Sequence, residues 1–197
     1  MKNKKGEYLD TILRSKNTVF STKDIALLWG ERSSAAARVR LNYYVGTGKL
    51  IRLHRGLYAK DQNYDRFELA AKIYTPSYIS FETVLSRAGI VFQFYGNIFV
   101  ASYLSREIDI NSQRYSYKRI KETILTNSAG VEVKDNYYIA SPERAFLDIV
   151  YLQKGYYFDN LSPLDWKKVF EILPIYNNKR MEKEIKKHRA HAGRRQT

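Results

Sequence analysis

Within its first sixty residues this chain packs three helix-like patterns in close succession, each with its own start or stop signal, and then two short alternating runs around a glycine turn. Residues 8–13 put Leu9, Ile12 and Leu13 on one helical face. Ser21 stands where a helix N-cap belongs, ahead of Thr22, Lys23 and Asp24 in a first turn and an apolar stripe of Ile25, Ala26, Leu28 and Trp29, with Gly30 as the stop. Ser33 or Ser34 opens a third helix that runs through three alanines, Arg38, Arg40 and Asn42 to Gly46 or Gly48. Residues 49–53 and 56–59 then alternate in the manner of strands around His54, Arg55 and Gly56.

Helix, helix, helix, hairpin is the order of a winged helix-turn-helix, in which the third helix enters the major groove and the hairpin lies along the phosphates. With Ala37, Leu41, Tyr44 and Val45 facing a core, Ser34, Arg38 and Asn42 share the opposite side and Arg40 sits on a flank. A guanidinium at Arg38 suits the O6/N7 edge of guanine, and Arg32, Ser33, Ser34 and the N–H groups of the helix start suit phosphate or a base edge. Arg52, His54, Arg55 and Lys60 surround the hairpin, where each neutralises phosphate without reading sequence. Basic residues also blunt exposed sheet edges, which gives the same hairpin a purely structural reading.

Charge supports a polyanionic partner by its placement. Of a net +14, residues 1–60 contribute +9 (13 Lys/Arg against 4 Asp/Glu), residues 179–197 contribute +6 (8 against 2), and the stretch between them carries −1 (13 against 14). A basic reader ahead of a near-neutral body predicts three parts: a DNA-binding domain over 1–62, an α+β domain over 63–178, and a basic tail over 179–197, either helical through Met181 and Ile185 or disordered.

The body begins with a helical pattern over 64–74, broken at Thr75-Pro76, and continues with a short helix over 81–88 for which Ser80 is the expected cap. Residues 91–103, 106–120 and 122–139 are rich in Tyr, Phe, Val, Ile and Thr and read as antiparallel strands turning at Gly96-Asn97, Asn111-Ser112 and Ala129-Gly130. Ser141, Pro142 and Glu143 start a helix to about Leu152, and two more helices follow over 163–173 and 178–188. The expected fold class is therefore α+β, a winged helix-turn-helix followed by a mixed domain with antiparallel strands and C-terminal helices.

Much chemistry is excluded. Without cysteine there is no disulfide, thiolate metal site or thiol nucleophile. No apolar run approaches the roughly 20 residues of a membrane span, and the lysines of residues 1–5 precede no signal-peptide core, so a cytoplasmic protein without membrane partners is expected. His188 and His191 form at most a weak metal site, and no cofactor is expected. One enzymatic alternative stays open: Asp109 with Glu132 and Lys134 matches the acid and acid-x-lysine pattern with which nucleases hold magnesium beside phosphate. A nucleic-acid-binding module without further activity is the other.

Three segments in order carry a family resemblance. They are 48–59 (Gly-Lys-Leu-Ile-Arg-Leu-His-Arg-Gly-Leu-Tyr-Ala), 76–85 (Pro-Ser-Tyr-Ile-Ser-Phe-Glu-Thr-Val-Leu) and 139–148 (Ile-Ala-Ser-Pro-Glu-Arg-Ala-Phe-Leu-Asp). Together they resemble the AbiE-type antitoxins of type IV toxin-antitoxin systems, over the chain to about Leu152. The resemblance implies a repressor that binds inverted repeats in its own promoter, with a second domain that counteracts a nucleotidyltransferase toxin without a stable complex. It also marks Ser141, Glu143, Arg144 and Asp148 as the antitoxin motif, although an N-cap, a first-turn acid and an i,i+4 charge pair account for those residue types by helix chemistry alone.

Overall fold

The computed structural model describes residues 7–31, 34–93 and 96–194, without the side chains of Ser34, His191 and Arg194. It is a mixed α+β structure in two compact units, residues 1–73 and 74–197. The helix expected to open the second domain belongs to the first unit, so the division falls later than the stretch around Asp61 to Asn63. The reason is chemical: Glu68 on that helix, almost fully buried, accepts hydrogen bonds from the Thr18 N–H (2.8 Å) and hydroxyl (2.7 Å), and Lys72 pairs with Asp24 at 2.8 Å.

The first unit runs α1 (Glu7–Arg14), β1 (Val19–Ser21), α2 (Thr22–Leu28), α3 (Ser34–Gly46), β2 (Ile51–His54), β3 (Leu57–Ala59) and α4 (Arg66–Ile73). Ser21 caps α2 as its sequence signals predict: the hydroxyl accepts from the Asp24 N–H at 3.1 Å while the Asp24 carboxylate accepts from the Ser21 N–H at 2.9 Å. Gly56 turns the hairpin with φ +76°. What the sequence did not signal is β1, three residues long, which pairs with β3 and converts a hairpin into a sheet of order β1-β3-β2. Ile12, Phe20, Ile25, Trp29, Leu41 and Tyr58 form the core between sheet and helices.

The second unit is built on a six-stranded sheet of order β6-β7-β5-β4-β9-β8. Its strands are β4 (Ser77–Ile79), β5 (Ile98–Ser102), β6 (Arg106–Ile110), β7 (Gln113–Arg119), β8 (Val131–Lys134) and β9 (Tyr137–Ala140); its helices are α5 (Glu82–Arg87), α6 (Glu122–Leu125), α7 (Pro142–Leu152), α8 (Trp166–Ile172) and α9 (Lys179–Arg194), with a 3-10 turn over Leu173–Tyr176. The expected antiparallel pairing holds for β4 with β5, β6 with β7 and β8 with β9, but the sheet is mixed: β5 runs parallel to β7 and β4 parallel to β9. Every residue of β4 and β5 is buried, because they lie in the middle of the sheet with both faces covered, and a strand of that kind carries no alternation for sequence reading to find. Only 98–102 of the expected 91–103 strand is extended in a sheet, and the expected 122–139 strand splits into α6, β8 and β9. The basic tail is helical through 194. Among the described residues no helix is long and apolar enough to cross a membrane.

Candidate nucleic-acid interface

Helix α3 owes its orientation to a handful of buried side chains. Ala37 and Leu41 are fully buried and Tyr44 nearly so, packed with Trp29, whose indole N–H donates to the Tyr8 carbonyl at 2.7 Å. This anchoring turns Ala35, Ala36, Arg38, Val39, Asn42 and Tyr43 to the surface. Arg38 and Asn42 share that face, as their spacing predicts, and make no ion pair or side-chain hydrogen bond among the described residues. Val39 and Tyr43, 72% and 55% exposed, flank them. The sequence reasoning passed over these two because apolar residues in a helix are ordinarily assigned inward. On an exposed face they offer the apolar surface that a thymine methyl group takes in a major groove, beside donors that suit a purine edge.

Two of the expected contact residues are otherwise engaged. Arg40 pairs with Glu31 and lies 3.9 Å over the Tyr8 ring, with the bond to Glu31 raising its pKa above the ordinary value. Lys60 donates to the Ser15 carbonyl and sits 5.8 Å from the Phe20 ring. Both tie α1 to the rest of the unit. At the hairpin, Arg52, His54 and Arg55 are exposed while Leu53, Leu57 and Tyr58 point into the core, an alternation that presents cations outward. Arg32 and Ser33 lie outside the described residues, as does the side chain of Ser34.

In the second unit the motif residues Ser141, Glu143, Arg144 and Asp148 come together, but inside the protein. Ser141 caps α7, accepting from the Arg144 N–H at 3.3 Å. Glu143, buried, accepts from the Asp165 N–H at 3.2 Å. The Arg144 guanidinium donates to the carbonyls of Ile124 and Ala129 (2.7 Å each), to the Tyr78 hydroxyl (2.9 Å) and to Asp148 (3.3 Å). Asp148 also accepts from Ser80 (2.7 Å), Tyr78 (3.0 Å) and Tyr176 (2.6 Å). Burial pushes the Asp148 carboxyl and both phenols upward, against which Arg144 stabilises the charged carboxylate and phenolate forms. Ser80 is thus spent on Asp148 and does not cap α5, whose first turn follows Phe81 with no side-chain cap. The i,i+4 charge pair expected from helix chemistry is present, and it is part of a sealed network that joins α7 to β4, to α6 and the segment after it, and to the 3-10 turn.

The nuclease pattern is not assembled. Asp109 lies on β6 and Glu132 and Lys134 on β8, the two opposite edges of the sheet, and Asp109 is bonded to Arg114 at 2.9 Å. The ring of His188 packs edge-on against Phe146 and Phe158, while the side chain of His191 lies outside the described residues. No family model matches this chain, and no curated protein matches it.

Proposed function

We propose that this protein is a sequence-specific DNA-binding autorepressor and the antitoxin of a type IV toxin-antitoxin pair that defends against phage. In this reading residues 1–73 act as a winged helix-turn-helix, α3 reads base edges, and the β2–β3 hairpin grips phosphate. The observation that carries it is the pairing of a core-anchored helix, whose exposed face holds Arg38, Asn42 and small or apolar neighbours, with a hairpin whose outward residues Arg52, His54 and Arg55 are basic. It is a binding role and not an enzymatic one. The antitoxin half rests on the resemblance of the three segments to the AbiE-type family. The motif residues serve it by holding the second unit together, since Arg144 and Asp148 have no exposed surface with which to touch a nucleotidyltransferase.

Fluorescence anisotropy without magnesium, on duplex DNA from upstream of its own gene and a shuffled duplex, tests the repressor half. Wild type prefers its own duplex, and Arg38→Ala lowers that preference by roughly tenfold or more, the worth of one bidentate base contact. Equal binding of both duplexes by wild type overturns it. Co-expression with a nucleotidyltransferase encoded beside it tests the other half: restored growth supports it, and continued arrest refutes it.

A further inference from the structure

The basic helix α9 does more than add charge. Met181 and Ile185 are buried, and the Arg180 guanidinium donates to the Val150 and Tyr151 carbonyls at the end of α7 (2.9 and 3.1 Å) and to Glu184 (2.8 Å). Glu184 in turn accepts from the Gly155 N–H at 3.0 Å, where a φ of +70° turns the chain back toward the helix. These bonds hold residues 154–162 opposite α9 and leave a groove of about 1050 Å³ between them.

The groove has two unlike walls. On α9, Lys179, Lys183 and Lys187 recur every four residues and so lie along one stripe, spaced by about 6 Å of helix rise. On the facing segment stands Tyr157, 71% exposed, with Lys154 beside it. Among the described lining residues Glu184 is the only acid, and its carboxylate is already engaged. Lys154, Lys179 and Lys183 have no ion pair or hydrogen bond among the described residues. A row of cations facing an exposed aromatic ring is the arrangement by which proteins hold single strands, with phosphates tracking the charge and bases stacking on the ring. A duplex keeps its base faces covered and has no use for the ring.

We propose that this groove is a single-stranded nucleic-acid site, with phosphates along Lys179 and Lys183 and a base stacked on Tyr157. The site belongs to the second unit and does not depend on α3.

The test is anisotropy of the full chain with labelled oligonucleotides of about 12 nucleotides, within the usual span of such sites, as single-stranded RNA, single-stranded DNA and duplex DNA of shuffled sequence, each over the same series of salt concentrations. At least one single strand binds, the RNA and DNA arms tell which sugar is preferred, and the duplex, which the hairpin of the first unit grips in the proposed function, keeps its affinity when the groove is substituted. Tyr157→Ala weakens single-strand binding by about tenfold, the order expected for one lost stack, and Lys183→Glu weakens it further and flattens its salt dependence. Both side chains are exposed, so melting temperatures stay at the wild-type value and report that the fold is kept. Single-strand binding that ignores both substitutions, duplex binding that falls in step with it, or binding that polyglutamate displaces as readily as oligonucleotide overturns the proposal. No promoter DNA is present, so a failure here leaves the repressor reading standing, and the converse also holds.

Discussion

Arg144 and Asp148 form an i,i+4 ion pair, Nε to Oδ1 3.3 Å, in which both side chains are wholly sealed from solvent. Asp10 and Arg14 form a pair of the same spacing on α1 at 2.9 Å, with side chains 51% and 80% exposed. The two are opposite in their energetics. An exposed pair contributes a few tenths of a kcal/mol, whereas a buried one holds two charges that have given up their water.

Removing one partner of the buried pair therefore has a large cost. Arg144→Ala leaves the buried Asp148 carboxyl without its counter-ion and orphans the Ile124 and Ala129 carbonyls, and should lower unfolding free energy in urea by roughly 3–5 kcal/mol. Arg14→Ala in the same assay should change it by less than about 0.5 kcal/mol. Replacing both charges, Arg144→Met with Asp148→Leu, should cost less than Arg144→Ala alone. A double variant as unstable as the single one shows that the hydrogen bonds to Tyr78, Ser80 and Tyr176, and not the charge pair, hold this region.

The two kinds of arginine in the first unit should separate in binding experiments. Arg55→Ala at the exposed hairpin turn should weaken binding to every duplex alike and reduce the logarithmic salt slope by about one. Arg40→Ala breaks the pair with Glu31 and the stack on Tyr8, so it should lower the melting temperature by a few degrees, corresponding to about 1 kcal/mol, and leave the preference among duplexes in place. Loss of that preference with an unchanged melting temperature would return Arg40 to the reading face.

These contrasts mark where the sequence was legible. Caps and glycine stops have local causes, so Ser21, Ser141, Gly30 and Gly56 were readable from their neighbours alone. The outward face of α3 was readable because helical periodicity fixes which residues oppose Leu41. Pairings between distant segments were not. Nothing near Val19 signals that it will lie beside Ala59, and nothing near Glu68 says that Thr18 will donate to it. Burial of a charge pair is likewise invisible in its spacing, which Arg144 and Asp148 share with the exposed Asp10 and Arg14. Tyr157 was passed over for a related reason, since only the fold brings it to face α9.

Gly130 gives a steric test of the network. Its φ is +69°, and a Cβ added there would come 2.7 Å from Ile172 Cδ1 and 2.9 Å from the Arg144 Cβ. Gly130→Ala must push aside the helix that carries the buried arginine, and should destabilise by about 2 kcal/mol or more through strain and overpacking together. Gly89→Ala, at a φ of +68° with nothing nearby, carries the strain alone and should cost about 1 kcal/mol. Equal melting temperatures for the two variants would mean that the space around Arg144 adjusts freely.

The capping box of α2 predicts an acid-dependent loss of stability. Burial raises the Asp24 pKa, but the hydrogen bonds from Lys72 and from the Ser21 N–H outweigh it and leave the carboxyl below its ordinary 3.8. A carboxylate whose folded pKa is depressed binds protons more readily in the unfolded chain. Its stabilisation is therefore present in full above about pH 4 and is lost as pH falls through the lowered folded value. Asp24→Asn should lower the melting temperature at pH 7, by an amount corresponding to about 1 kcal/mol, and the gap from wild type should close as the pH is brought below 3.8. Asp24 also bridges α2 to Lys72 on α4, so Lys72→Met should reproduce part of the loss at pH 7 and narrow the same gap in acid. A gap that stays constant from pH 7 down to acid would mean that the Asp24 charge contributes nothing, and that the box works through hydrogen-bond geometry which an asparagine fails to reproduce.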